Sequence, residues 1–264
     1  MTPILMLGAG RMGGALIEGW AKTGAFAPSD LILRDPNPSP EALAAAQAGA
    51  QLNPDPTVLA QAKVVLLAVK PQIWREAAAE LAPHLASDCV IVSIAAGVLV
   101  SDLAEAFGGR AVARIMPTTA VAVAKGVASL YSPDPKALAV AHALFDPVAT
   151  TVEVDNESLM DAVVGMSGSA PAYLYAFIEA LEAAGPAQGL SVEASQRLAR
   201  ATIIGAAALL DSSDAEPSEL RRQVTSPGGT TEAALKVLMG EGGLTPLMDR
   251  AVAAAVARSR ELSR

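Results

Sequence analysis

The chain has little of what enzymes most often use for proton transfer and metal binding. Two histidines, His84 and His142, and one cysteine, Cys89, are spread over 264 residues. A lone cysteine closes no internal disulfide, which fits a reducing compartment such as the cytoplasm. No cluster of His, Cys and carboxylates has metal-ligand spacing, so no metal site is expected. The N-terminal MTPILMLGAG reads without the basic leader and cleavage site of a secretory signal.

Basic charge is scarce as well. Lys and Arg number 19 against 27 Asp and Glu, for a net charge of −8, and no basic run occurs. Nucleic acid and anionic membrane surfaces are therefore poor partners. The longest uncharged run, 162–178, is interrupted by Gly165, Ser167-Gly168-Ser169 and Pro171. It falls short of the roughly 20 residues that span a bilayer. Aromatics make up only 3%, while Ala and Gly are abundant, so closely packed helices separated by small side chains are expected.

What the chain does contain is alternation. Short apolar runs at 4–7, 31–33, 64–69, 90–94 and 111–115 read as strands buried on both faces. Helical patterns at 11–22, 40–48, 72–81 and 101–107 separate them. Such a series implies an α/β fold with a mostly parallel, doubly wound sheet. Strands at 127–131 and 150–154, around a helix at 135–144, extend its edge. Beyond about Asn156 only helical patterns follow. One starts at Ser169 as N-cap with Pro171 in its first turn, another covers 192–210, and the last opens at Thr245-Pro246. Two domains are expected, 1–155 binding a dinucleotide and 156–264 all-helical.

Gly8-Ala9-Gly10-Arg11-Met12-Gly13 is a G-x-G-x-x-G between the first strand and the first helix. Its glycines allow a tight turn and bring backbone N–H groups against a pyrophosphate at the helix N-terminus. Alone the pattern is weak; its place in the first βα unit of an alternating series strengthens it. Asp35 follows roughly 20 residues later, where an acid binds the ribose hydroxyls of NAD. Arg34, Asn37 and Ser39 could instead receive the 2′-phosphate of NADP, so the choice between NADH and NADPH stays open. In an open parallel sheet the ligand lies beyond the carboxyl ends of the strands. That places Ala68, Val69, Lys70 and Pro71, and Ala95, Ala96 and Gly97, against the cofactor. Lys70 is a catalytic candidate, with a surface lysine before a helix as the alternative.

An alcohol dehydrogenase usually needs a base, most often histidine. His84 and His142 both lie in helical segments remote from the predicted strand ends. A hydride acceptor that asks little proton transfer of the protein is favoured. An imine fits, because protonation in solution already makes its carbon electrophilic.

The segments LGAGRMGGALIEG, AVKP, SIAAG, VVGMSGSAPAYLYAFIEAL and VTSPGGTTEAAL together resemble pyrroline-5-carboxylate reductase, in order and over almost the whole chain. The resemblance implies a Rossmann domain followed by a helical dimerisation domain. It implies hydride transfer from a nicotinamide cofactor to the C=N bond of 1-pyrroline-5-carboxylate, the last step of proline biosynthesis. It also implies a homodimer, in some members assembled further into a decamer. The loop Ser226–Thr231, with Ser226, Gly228, Gly229, Thr230 and Thr231, would bind the substrate carboxylate, and Thr231 would hydrogen-bond the ring nitrogen as a catalytic residue.

Physical reading of that loop leaves two options level. Unshielded amides of Gly228 and Gly229 and the start of a helix at Thr230 suit an anion; a plain helix–helix turn capped by Thr230 also fits. Three positions depart from the family pattern. Thr118 stands where many members have asparagine after a strand, and Ala170 where glycine or serine is common. Asp214 falls where relatives can carry a glutamate near the site. A related reductase of another cyclic imine, or a β-hydroxyacid dehydrogenase-like enzyme, is the alternative. The latter needs a lysine on its first interdomain helix, and 156–166 contains none.

Overall fold

The structure, a computed structural model, describes residues 1–262. They form two compact units, Met1–Gly168 together with residues 256–262, and Ser169–Ala255. By packing, residues 156–168 therefore go with the sheet, beyond the expected functional division at 155/156.

Eight strands build the first unit: β1 (Ile4–Leu7), β2 (Leu31–Arg34), β3 (Gln51–Leu52), β4 (Val64–Leu67), β5 (Val90–Ser93), β6 (Val112–Pro117), β7 (Gly126–Tyr131) and β8 (Ala149–Glu153). They are ordered β3-β2-β1-β4-β5-β6-β7-β8. The first six run parallel, β7 is antiparallel to β6, and β8 is parallel to β7. The strand order reverses between β1 and β4, where doubly wound folds open their ligand crevice. Helices α1 (Arg11–Thr23), α2 (Pro40–Gln47), α3 (Trp74–Leu81), α4 (Val100–Ala106) and α5 (Pro135–Phe145) connect these strands, and the short α6 (Met160–Val163) follows them.

Side-chain alternation along each strand feeds two cores. Ile4 and Met6 join Leu16, Ile17 and Trp20 of α1 and Leu144 and Phe145 of α5 on one face. Leu5 joins Trp74, Ala78 and Leu81 of α3 and Leu103 of α4 on the other. Burial on both faces is why the strands read as unbroken apolar runs. Trp20 is fully buried, and its indole N–H donates to the Leu144 carbonyl at 2.8 Å. Helix starts follow local chemistry. Ser39 caps α2 through the Ala42 amide with Pro40 next, and Asp134 caps α5 through the Lys136 and Ala137 amides with Pro135 next.

Some elements differ from expectation. The two-residue β3 has no apolar run to announce it. Strand β4 stops at Leu67, and α3 opens at Trp74 after a turn in which the Ile73 amide donates to the Lys70 carbonyl. Ser169 does stand at the N-cap of the next helix, but its side chain makes no cap bond; its backbone angles are already helical, directly after a π-helical stretch, Val164–Gly168.

The second unit holds α7 (Ala170–Ala184), α8 (Val192–Asp211), α9 (Pro217–Gln223), α10 (Thr230–Leu238) and most of α11 (Leu244–Leu262). Helices α7 and α8 approach closely where Gly185 lies against Ser195; a Cβ at Gly185 would collide with the Ser195 hydroxyl. Among the described residues of this unit only Ser195 and Ala199 are buried. Ile204 and Val237 are 71% and 76% exposed, and Leu174, Leu198 and Leu209 are also uncovered. A helical unit without its own core presents its apolar faces for burial against another surface.

Candidate active site

The fingerprint loop passes over the carboxyl end of β1. Gly8 has φ +94°, and a Cβ there would lie 2.7 Å from the Ala68 carbonyl oxygen. At Gly13 a Cβ would lie 2.4 Å from the Gly8 carbonyl oxygen. Gly10 differs: nothing stands within 4 Å of the space its Cβ would take. The first and third glycines thus let backbone approach backbone, and the middle one opens onto space a ligand can fill. Gly10 is the N-cap of α1 without a side-chain cap, and the first turn carries no acid. The leading amides of α1, from Arg11 to Gly13, are accordingly available to a phosphate. This donor set fits a dinucleotide pyrophosphate.

Asp35 ties the loop to the second strand. One carboxylate oxygen accepts from the Ala9 amide and the other from the Asn37 amide, each at 2.7 Å. Asn53, in the left-handed region at φ +47°, brackets the Asp35 backbone. Its side chain accepts from the Asp35 amide at 3.0 Å and donates to the Asp35 carbonyl at 2.9 Å. Asn53 was not legible in the sequence, because it acts from just beyond the unannounced β3. Arg34 points to α3, where its guanidinium meets Glu80 at 2.7 Å. These groups line an open cleft of about 420 Å³ with Leu7, Pro36, Pro54 and Ala77.

The remaining candidates of this unit share that edge. Ala68 follows β4 and donates its amide to the Leu7 carbonyl at 2.8 Å, joining Val69, Lys70 and Pro71 to the end of β1. Lys70 is exposed. After β5, the Ser93 hydroxyl accepts from the Ala95 amide at 3.2 Å, and Ala96 and Gly97 turn the chain with Gly97 at φ +76°. Since β2, β1, β4 and β5 are parallel neighbours, Gly8–Gly13, Arg34, Asp35, Asn37, 68–71 and 95–97 all gather at one edge of the sheet. Thr118 is buried; its hydroxyl accepts from the Val127 amide at 3.0 Å, so it is spent on joining β6 to β7.

The loop Ser226–Thr231 lies in the helical unit. Gly228 has φ +71°, and Gly229, not Thr230, is the N-cap of α10. Both glycine amides are taken, contrary to the expectation that they stand free. The Gly229 amide donates to the Ser226 carbonyl at 3.0 Å, and the Gly228 amide to the Glu232 carboxylate. Lys236 first, then the Gly228 amide, hold the Glu232 carboxyl below its ordinary range. No side chain caps the helix, so the first-turn amides of Thr230 and Thr231 are the available donors. Thr231 is half-buried, whereas Asp214 is exposed on the α8–α9 connection.

Neither other reactive group competes. Cys89 is buried, and burial pushes its thiol up to about 11, so it is no nucleophile at neutral pH. Among the described residues no cluster of His, Cys, Asp and Glu could hold a metal ion, and no helix is long and apolar enough to cross a membrane.

A sheet of this order with an open glycine turn at its switch point defines a Rossmann-type dinucleotide-binding protein. Residues 3–97 match the family model of coenzyme F420-dependent NADP oxidoreductases, and residues 157–262 that of pyrroline-5-carboxylate reductase dimerisation. The pyrroline-5-carboxylate reductase of Pseudomonas aeruginosa is 39% identical over 99% of this chain and 97% of its own length. That of Pisum sativum is 36% identical over 97% and 94%. Among solved structures, the Coxiella burnetii pyrroline-5-carboxylate reductase superposes with a TM-score of 0.91 at 30% identity, covering 100% of this chain and 99% of that one. A Plasmodium falciparum pyrroline carboxylate reductase with NADP bound gives 0.83 at 26%, covering 100% and 98%. The chain belongs to the pyrroline-5-carboxylate reductase family, and it is an NAD(P)-dependent oxidoreductase.

Proposed function

We propose that this chain reduces the C=N bond of 1-pyrroline-5-carboxylate to give L-proline, the last step of proline biosynthesis, with NADH or NADPH as donor. The observation that carries the reading is the Ser226–Thr231 turn, which opens α10 with uncapped amides and no titratable side chain of its own. Residues 1–155 would serve the dinucleotide and 156–264 the substrate and dimerisation. The exposed apolar helices of the second unit support a homodimer, and a decamer of five such dimers is the further assembly we infer. A cytoplasmic setting fits the single reduced cysteine.

In this reading Gly8, Ala9, Gly10, Arg11, Met12 and Gly13 form the pyrophosphate loop. The amides of Arg11, Met12 and Gly13 at the start of α1 donate to it, while those of Gly8 and Ala9 stay with Arg34 and Asp35 and hold the loop in shape. Asp35 keeps lone pairs for ribose hydroxyls beyond the two amides it already accepts, and Arg34 and Asn37 stand beside it. The segments 68–71 and 95–97 flank the nicotinamide end. A bound reduced nicotinamide supplies the hydride. The substrate carboxylate takes the Thr230 and Thr231 amides, with Ser226 beside them, while Glu232 keeps the Gly228 amide and so holds the turn in shape. The Thr231 hydroxyl accepts from the protonated ring nitrogen and fixes the ring's face. That nitrogen already carries its proton when hydride reaches the neighbouring carbon, so no histidine is required. Lys70, cationic and exposed beside the cofactor, contributes attraction for the anionic reactants.

Thr231→Ala tests the placement. It should lower kcat/KM on the order of 10²-fold while leaving dinucleotide affinity intact. Loss of dinucleotide binding instead would show that the loop serves the cofactor.

A further inference from the structure

The charged groups lining the 420 Å³ cleft are Arg34, Asp35 and Glu80, one guanidinium and two carboxylates. Arg34 is committed to Glu80 at 2.7 Å across the gap between β2 and α3. Its side chain is 24% exposed, whereas that of Glu80 is 59% exposed. The guanidinium is thus drawn inward against an acid that reaches in from solvent. Asp35 is oriented independently, by the Ala9 and Asn37 amides. The surroundings of Arg34 therefore carry net negative charge, and a second phosphate beside it would meet an already neutralised cation.

Resting on the dinucleotide role argued above, we infer that Glu80 sets the cofactor choice of this chain. By pairing with Arg34 it withholds the one guanidinium in the cleft from a 2′-phosphate, and it tilts the preference toward the 2′-hydroxyl of NADH. Glu80 is a positioning residue: it acts on the dinucleotide through Arg34. A carboxylate at that distance occupies the donors of Arg34, so a phosphate must displace it to reach them. Its influence is confined to the 2′ position, because the pyrophosphate amides at Arg11–Gly13 belong to a different element.

The test is titration of the full-length protein with NADH and with NADPH, without substrate, read by nucleotide fluorescence. The wild type should bind NADH more tightly. Glu80→Gln should tighten NADPH about three- to tenfold and move NADH less than about twofold. Raising the salt should shrink that change. In an Arg34→Ala background the effect of Glu80→Gln should vanish. An equal change for both dinucleotides, no change, or a gain that survives Arg34→Ala overturns the role of Glu80, as does a wild type that prefers NADPH. Wild-type protein that binds neither dinucleotide overturns the reductase assignment along with it.

Discussion

Glu157 and Arg114 meet in the sheet unit, with Arg114 Nη1 3.0 Å from Glu157 Oε1. The same oxygen accepts from the Val100 amide at 2.9 Å. Arg114 sits on β6 and is 6% exposed, so one carboxylate neutralises a buried cation and satisfies the start of α4. Through this oxygen the helical turn that follows β8 is joined to β6 and α4. Removing one partner of a buried pair leaves the other charge uncompensated. Glu157→Ala is expected to cost about 3–5 kcal/mol, checked by urea unfolding at fixed protein concentration. Replacing both partners with apolar residues should cost less than the sum of the single changes.

His142 supplies a pH dependence. Its ring nitrogens lie 3.0 Å from Asp146 and 2.9 Å from Glu153, joining α5 to the edge strand β8. The hydrogen bond to Asp146 leads in raising the His142 pKa; partial burial opposes the rise and Glu153 adds to it. A raised value means the folded state holds the proton more tightly than the unfolded chain. The resulting stability is therefore complete below the unfolded value, about 6.5, and is lost as pH rises through the folded value. His142→Gln should lower Tm by about 1–3 °C at pH 5.5 and by less at pH 9, measured by thermal unfolding against wild type.

The two kinds of glycine in the fingerprint should separate. Gly13→Ala pushes a Cβ against the Gly8 carbonyl and should lower Tm as well as dinucleotide affinity. Gly10→Ala meets nothing in the protein and should fold with unchanged Tm. Its methyl occupies space the pyrophosphate needs, so affinity should still fall at least about tenfold, measured by the same fluorescence titration.

These contrasts show where sequence reasoning reached and where it stopped. β1 and α1 were legible, because a doubly buried run followed by glycines leaves a local signature. The parallel order followed from the alternation alone. β3 was hidden, since two residues, Gln51 and Leu52, show no period. Glu232 and Asn53 were missed for another reason: each acts through a backbone amide that only the folded turn brings within reach. Ser169 takes the N-cap position that its composition suggests, but its hydroxyl caps nothing, since it enters from the π-helical turns with helical backbone angles. Thr118 stands in place of the family's asparagine, and what its hydroxyl does there, accepting from the Val127 amide of β7, only the pairing of β6 with β7 reveals.

The most direct measurement is turnover itself. Purified protein given NADH or NADPH should consume it on addition of 1-pyrroline-5-carboxylate and form one L-proline for each dinucleotide oxidised. Folded protein that binds a dinucleotide yet forms no proline with either donor would contradict the account.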